Sequence, residues 1–392
     1  MPATSAGMTN CTPSSPCYTP HGKRSGARMP LLNDIRNTPM LWLLVLVPVA
    51  IAAHKLSPQA HTLHFVLSVL AIVPLAALLS RATEAVAART GDTIGGLLNA
   101  TLGNLTELLI ALAALRAGQY VLVKASIAGA IVTNSLFMLG FAFLLGGLKH
   151  HVQEFNRNTA RLQAGLLFLA TIAILVPSVV AEPEAGAASK TFTHTLSAGL
   201  AVVLIITYAL GLLFSLRTHK EFFGSAEHEG EHEETWPIGL ALATLAAVTV
   251  LVALVSEIFV ESVQQAATSL GLSPAFVGFI IVAMVSAAAE MVAAFSAARK
   301  NRLDLSVGIA LGSASQIALF VAPVLVLLSY VLGPSPMDLT FWPGAIAMML
   351  IATMTASLVT TTGRSAWFVG WLVTVVYLIF ALTLYLLPPR VS

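Results

Sequence analysis

The sequence predicts an all-α integral membrane protein of eleven transmembrane helices, one leading helix followed by two inverted repeats of five. Three observations predict it. Of the 392 residues, 57% are hydrophobic and only 10% are charged, against about 25% charged in an ordinary soluble domain. The hydrophobic residues gather into eleven stretches of about the ~20 residues that a bilayer core requires. A glutamate deep in the third stretch recurs 183 residues later, deep in the eighth. A chain this poor in charge could not cover a soluble fold with polar groups, nor stay disordered. A net charge of +2 gives no basis for a nucleic-acid partner; the expected surroundings are a lipid bilayer.

Residues 1–38 are polar, rich in Pro, Ser, Thr and Gly, and carry Lys23, Arg24, Arg28 and Arg36. They read as a disordered cytoplasmic tail. A signal peptide is the rival reading, but the apolar run that follows is long enough to span and more spans come after it. Met29 would serve as a later start. The two cysteines, Cys11 and Cys17, both lie in this tail and imply neither a disulfide core nor a metal pair.

The expected spans cover 39–54, 62–80, 92–115, 120–147, 161–181, 195–216, 237–261, 274–298, 304–332, 340–362 and 366–387. The corresponding units are a leading helix at 39–56, a first repeat at 62–217, an acidic cytoplasmic segment at 218–236 and a second repeat at 237–388. With the N-terminus in the cytoplasm, 15 of the 20 Lys and Arg residues fall on the cytoplasmic side. Flipping the chain would invert that positive-inside bias. The acidic segment holds Glu227, Glu229, Glu231, Glu233 and Glu234, interleaved with His228 and His232. It is either a regulatory element, sensing pH or metal, or a solvated linker.

The repeat is legible in several places. Gly103-Asn104-Leu105-Thr106-Glu107 aligns with Ser286-Ala287-Ala288-Ala289-Glu290. At the same offset Gly129 meets Gly312; a further echo, at an offset of 177, is Thr83-Glu84 against Val260-Glu261 at the ends of spans two and seven. Five spans per half is an odd number, so the second half enters the membrane inverted. That is the plan of many secondary transporters, with the site at the midplane between the repeats.

Glu107 is about the sixteenth residue of its span and Glu290 about the seventeenth, which puts both near mid-membrane. A charge there costs roughly 2.5–3.5 kcal/mol on insertion scales. No Lys or Arg lies within a helical turn of either, so a proton, a bound cation or both must compensate. Two such carboxylates on one cavity would neutralise one divalent ion or carry protons in its place, the physical basis of an antiporter. The neighbours suit a hard cation, which takes oxygen ligands. Span three offers Asn104, with Thr101 and Thr106. Span four offers Thr133, Asn134 and Ser135, span eight Ser286, and span nine Ser313, Ser315 and Gln316. Gly103 and Gly312 would permit close helix approach or a local break that frees carbonyls. Glu84, Glu257 and Glu261, near span ends, are expected to be solvated or to line a vestibule. No resident cofactor is expected.

At these residues the chain resembles the calcium/cation–proton exchanger family, within the cation/calcium exchanger superfamily. The first repeat is similar to one family signature from Gly103 to Ile110. The second is similar to the other signature, from Phe276-Val277-Gly278 to Glu290 and on through Asp304 to Leu319. The resemblance covers roughly residues 40–388. It implies cation efflux driven by proton influx, with Glu107 and Glu290 binding cation and proton in turn. Asn104, Ser313 and Gln316 match polar positions of the motifs, and the acidic loop matches a cytoplasmic helix held to tune transport. Related exchangers include trimers, so a homo-oligomer is compatible. The setting implied is a cell membrane of the bacterial inner-membrane kind. One departure stands out. The second signature usually reads Gly-Asn-Ala-Ala-Glu-His, whereas this chain has Ser286-Ala287-Ala288-Ala289-Glu290-Met291. An amide oxygen and an imidazole are lost, which leaves the ion open among Ca²⁺, Mn²⁺, Na⁺ and K⁺.

Two readings from other classes compete. A membrane-embedded metalloenzyme needs a His-Glu-x-x-His or similar helix. None occurs, and His54, His61, His64, His150, His151 and His194 sit at span edges. A non-transporting sensor would signal through the acidic loop. Among these readings the Ca²⁺/H⁺ antiporter leads, with a Na⁺ or K⁺/H⁺ exchanger second.

Overall fold

The computed structural model describes residues 38–180, 186–218 and 236–387. The tail with Cys11 and Cys17, and the acidic segment with Glu227, Glu229, Glu231, Glu233 and Glu234, lie outside them. Among the described residues ten helices are long and apolar enough to cross a membrane, and a bent pair brings the number to eleven. They are α1 (Pro39–Leu56), α2 (His61–Thr90), α3 (Ile94–Arg116), α4 (Tyr120–His150), α5 (Arg157–Val180), α6 (Thr191–Thr218), α7 (Ile238–Ser269), α8 (Pro274–Ser286 with Ala288–Arg299), α9 (Leu303–Leu332), α10 (Pro343–Thr360) and α11 (Trp367–Leu386). The chain is a multi-pass membrane protein.

The architecture is one leading helix and two inverted five-helix repeats, and the repeat goes deeper than the sequence echo. Helix α3 breaks after Leu102 and resumes at Leu105. Its counterpart α8 breaks at Ala287, where its halves meet at 58°. Ala287 follows Asn104 by the same 183 residues that separate the two glutamates. Helix α4 carries a π-helical segment at Thr133–Met138, and α9 carries one at Ile317–Val321. Each π turn widens the helix beside the broken span of the other repeat, a placement common at functional sites.

Helices α3, α4, α8 and α9 form the centre. The first half of α4 packs on the first half of α8, and α5 on both α9 and α10. Helices α2 and α7 run alongside each other over most of their length, and α1 packs on α2. Lipid-facing side chains such as Val203, Leu210, Leu372 and Ile379 stay apolar, as a bilayer requires.

Two expectations need correction. Spans two and seven do not end at residues 80 and 261: α2 runs on to Thr90 and α7 to Ser269, because charged residues at a water-facing helix end do not stop the helix. Gly312 makes no break; it lies within a continuous helix, Leu303–Gln316, and Ala287 is the break of the second repeat. The all-α class stands, with one short strand pairing added. Val152–Glu154 pairs antiparallel with Arg364–Ala366, joining the two repeats at one face of the membrane. On that face Gln153 Nε2 donates to the carbonyl of Ala298 (2.9 Å) and to Asn301 Oδ1 (2.9 Å).

Candidate functional site

Each half-helix break sets a glutamate at the same place. In α3 the chain turns at Gly103 and Asn104. A Cβ on Gly103 would lie 2.6 Å from the Asn99 carbonyl oxygen, so the turn requires glycine. Asn104 leaves helical geometry (φ −100°, ψ 28°), the second half starts at Leu105, and Glu107 falls in its first turn. In α8, Ala287 (φ −82°, ψ 5°) precedes Ala288, and Glu290 falls in the first turn. Both carboxylates therefore sit against the partial positive charge of a half-helix N-terminus, on either side of the junction between the repeats.

Their surroundings differ. Glu290 lines a cavity of about 290 Å³ that opens past Gln163 and Thr159 to Asn156 and Asp304. Glu107 is buried. It shares a void of about 10 Å³ with Ser126 and Ser286, at the lower limit for a single water. Glu107 Oε1 and Glu290 Oε2 are buried with no hydrogen-bond partner. A desolvated carboxylate oxygen without a donor is unfavourable, and a proton or a cation answers it.

A chain of amides and a hydroxyl crosses between the repeats. Asn134 Nδ2 donates to Ser313 Oγ (2.9 Å), Ser313 Oγ donates to Asn104 Oδ1 (2.9 Å), and Asn104 Nδ2 donates to Gln316 Oε1. Asn104 thus uses its side chain across the interface and not as a cap on its own helix. Asn134 Oδ1 remains buried without a partner. The frame around this chain is held by two tyrosines. Tyr208 donates to the Ala100 carbonyl (2.7 Å), just before the α3 break, and Tyr377 lies 3.3 Å from Thr133 Oγ1.

The expected residues separate accordingly. Glu107, Glu290, Asn104, Asn134, Ser286, Ser313 and Gln316 come together at this junction. Ser135, beside Asn134, is fully buried, and its hydroxyl donates to the Ile131 carbonyl of its own helix. Thr101 and Ser315 likewise bond carbonyls one turn back. Of the three vestibule candidates, Glu84 lines the cavity and accepts from Ser80 (3.1 Å). Glu257 and Glu261 do not line it. They sit at the opposite end of the membrane span, 3.5 Å from Arg116 and 3.5 Å from His54. They stand there because α7 runs antiparallel to α2, so repeat-equivalent positions face opposite sides. Three residues at the site were not anticipated: Ser126, Asn99 and Gln163. A polar stripe at Asn156, Thr159 and Gln163, spaced three and four residues apart, was the available signal for the last.

Comparison with known proteins follows the same lines. Residues 60–217 and 240–386 match the profile of the family described as "Sodium/calcium exchanger protein". The chain belongs to the sodium/calcium exchanger family. Within it, the chain falls in the calcium/cation–proton exchanger branch. It is 39% identical to a Ca²⁺/H⁺ antiporter of Aphanothece halophytica, over 90% of this chain and 98% of that protein. It is 40% identical to the Ca²⁺/H⁺ antiporter ChaA of Bacillus subtilis, over 81% and 90%. The solved structure of native YfkE superposes with a TM-score of 0.76 at 35% identity, covering 89% of this exchanger and all of YfkE.

Proposed function

We propose that this exchanger is a Ca²⁺/H⁺ antiporter that exports cytosolic Ca²⁺ against protons, with Glu107 and Glu290 binding cation and proton in turn. One observation carries the reading. The two carboxylates occupy equivalent places at the starts of two half-helices, each with a buried oxygen that no protein group answers, and only Glu290 meets the open cavity. A cation arriving through the cavity would displace the proton from Glu290. Its charge would be met by the two carboxylates and the oxygens around them, as a hard cation requires. The relatives' names support Ca²⁺ and H⁺ as the exchanged ions.

Charge supports the sidedness. The cavity mouth at Asn156 and Asp304 adjoins Arg157, Arg161, Arg299 and Arg302, the basic face that the positive-inside rule assigns to the cytoplasm. This is then an inward-open form, with the N-terminus cytoplasmic and the protein in a bacterial inner membrane.

A second reading, Na⁺ or K⁺ for H⁺, has its own observation. Ala287 is fully buried and Met291 nearly so, so two positions beside Glu290 that would carry polar ligands are apolar. Proteoliposomes with an imposed proton gradient and an internal pH dye discriminate. The expected result is dissipation on adding Ca²⁺ that Glu107→Gln and Glu290→Gln each abolish. Dissipation by Na⁺ or K⁺ alone favours the second reading. Near-normal Ca²⁺ exchange in either variant sinks the two-glutamate mechanism.

A further inference from the structure

The amide oxygens near Glu290 are unequally available. Asn104 Oδ1 accepts from Ser313, and Gln316 Oε1 accepts from Asn104. Both are committed to holding the repeats together. Ala287 has no oxygen to offer beyond its backbone. Helix α5 presents Gln163 to the same cavity as Glu290 and Ser313. Gln163 Oε1 is buried and accepts no hydrogen bond from the protein. The Ser315 hydroxyl, which donates to the Leu311 carbonyl (2.7 Å), lies 3.5 Å from the Gln163 carbonyl, so α5 and α9 pack closely here. The face of α9 opposite it is bare. A Cβ on Gly308 or Gly312 would meet nothing within 4 Å, and both glycines line the cavity that Gln163 lines.

We infer that Gln163 is a cation ligand on the open side of the site, contributing the amide oxygen that the second repeat lacks at Ala287. The chemistry is that of a hard cation: an uncharged carbonyl oxygen held without a competing donor, near one carboxylate, in a cavity large enough to leave other positions to water. An unanswered buried amide oxygen is unfavourable in itself, and a partly dehydrated cation relieves it. The polar stripe from Asn156 through Thr159 to Gln163 makes α5 the wall along which the ion descends. Glu290 and Gln163 then form the first binding position, before Glu107 is engaged.

This inference rests on the antiport reading of the same site, and the experiment separates the two. Half-saturating Ca²⁺ is measured in full-length protein by proton flux in everted membrane vesicles, which present the cytoplasmic face. Equilibrium calcium-45 binding in detergent is measured beside it. Gln163→Leu removes the oxygen at similar size. It is expected to raise half-saturating Ca²⁺ by about 5- to 10-fold, the range of one lost ligand hydrogen-bond equivalent, while the maximal rate stays within about two-fold. Gln163→Glu is expected to lower half-saturating Ca²⁺ and make it more pH-dependent. A purely structural Gln163 would instead lower thermal stability and maximal rate with half-saturation unmoved, and that result overturns the inference. Unchanged half-saturation in both variants overturns it too. Should the wild type exchange Na⁺, K⁺ or Mn²⁺ in place of Ca²⁺, the comparison is made with that ion. A wild type that neither exchanges nor binds any of these ions overturns the antiport reading and the inference together.

Discussion

Gly129 and Gly312 occupy equivalent points of the two repeats, 183 residues apart, yet only Gly129 is covered. A Cβ on Gly129 would lie 2.2 Å from the Phe279 carbonyl oxygen, in the first half of α8, whereas one on Gly312 would meet nothing within 4 Å. The repeats share one design and hold it in two states: closed at Gly129, open at Gly312. An inverted repeat can exchange those states by symmetry. In the opposite form the first half of α3 would close on Gly312 as α8 now closes on Gly129. By the same offset Gly96 is the counterpart of Phe279.

Stability and transport should therefore respond in opposite ways to one methyl group. Gly129→Ala forces a side chain into backbone and should destabilise the protein by about 1–3 kcal/mol, as overpacked cores do. Gly312→Ala adds a methyl to open space within a helix and should be neutral or stabilising by up to about 1 kcal/mol. It should nonetheless slow transport, because the closed form needs the bare glycine. Thermal unfolding and proton flux on both variants test this. A Gly312→Ala protein with a wild-type rate would rule out closure over Gly312.

Access to the cavity can be read chemically. In a chain carrying Cys11→Ser and Cys17→Ser, a cysteine at position 308 faces open space on the cavity wall. A membrane-impermeant maleimide should label Gly308→Cys from the face that carries Arg157 and Arg299, and poorly from the other. A proton gradient that drives the opposite form should reduce labelling severalfold. Equal labelling from both faces would contradict the inward-open assignment.

Much of this fold could be read from composition and spacing, and the limits have physical causes. Glu107 and Glu290 were legible because a mid-span carboxylate has no bland explanation when its twin lies at the repeat offset. The break at Gly103 was legible from glycine beside asparagine. The break at Ala287 was not, since alanine is a strong helix former and only tertiary geometry bends the chain there. The π segments at Thr133–Met138 and Ile317–Val321 leave no composition signal. Span ends at Arg81 and Glu261 were misread because hydropathy marks the bilayer and not the helix. Gln163 escaped notice because one amide in an apolar span ordinarily reads as contact between helices.

The polar chain across the repeats gives a sharper test of the centre. Ser313 is both donor to Asn104 and acceptor from Asn134, so Ser313→Ala takes that partner from two buried amide groups. The expected cost is about 1–3 kcal/mol, with a loss of transport that Ser313→Thr partly restores. Thermal unfolding of Ser313→Ala, Asn134→Leu and the double variant should show non-additive costs, as contacting residues do. Strict additivity would mean that the chain does not act as a unit.

The closed side has its own lock, and pH should reveal it. Lys124, near the start of α4, lies 2.6 Å from Asp338 in the segment between α9 and α10. Thr340 donates its backbone N–H to the same carboxylate (2.8 Å). Burial acts to raise the Asp338 pKa, but the Lys124 charge and the hydrogen bonds outweigh it and hold the carboxyl below its ordinary value of about 3.8. A depressed folded pKa contributes stability that is fully present above the unfolded value and is lost as pH falls through the folded one. Wild-type stability should thus fall on acidification from about pH 4. Asp338→Asn should be less stable at neutral pH by about 1–2 kcal/mol, and the gap to wild type should narrow as acid neutralises the native carboxylate. Unfolding temperatures of both proteins from pH 7 to pH 3 decide the matter: a gap that stays constant across that range would show that Lys124 gains nothing from the Asp338 charge.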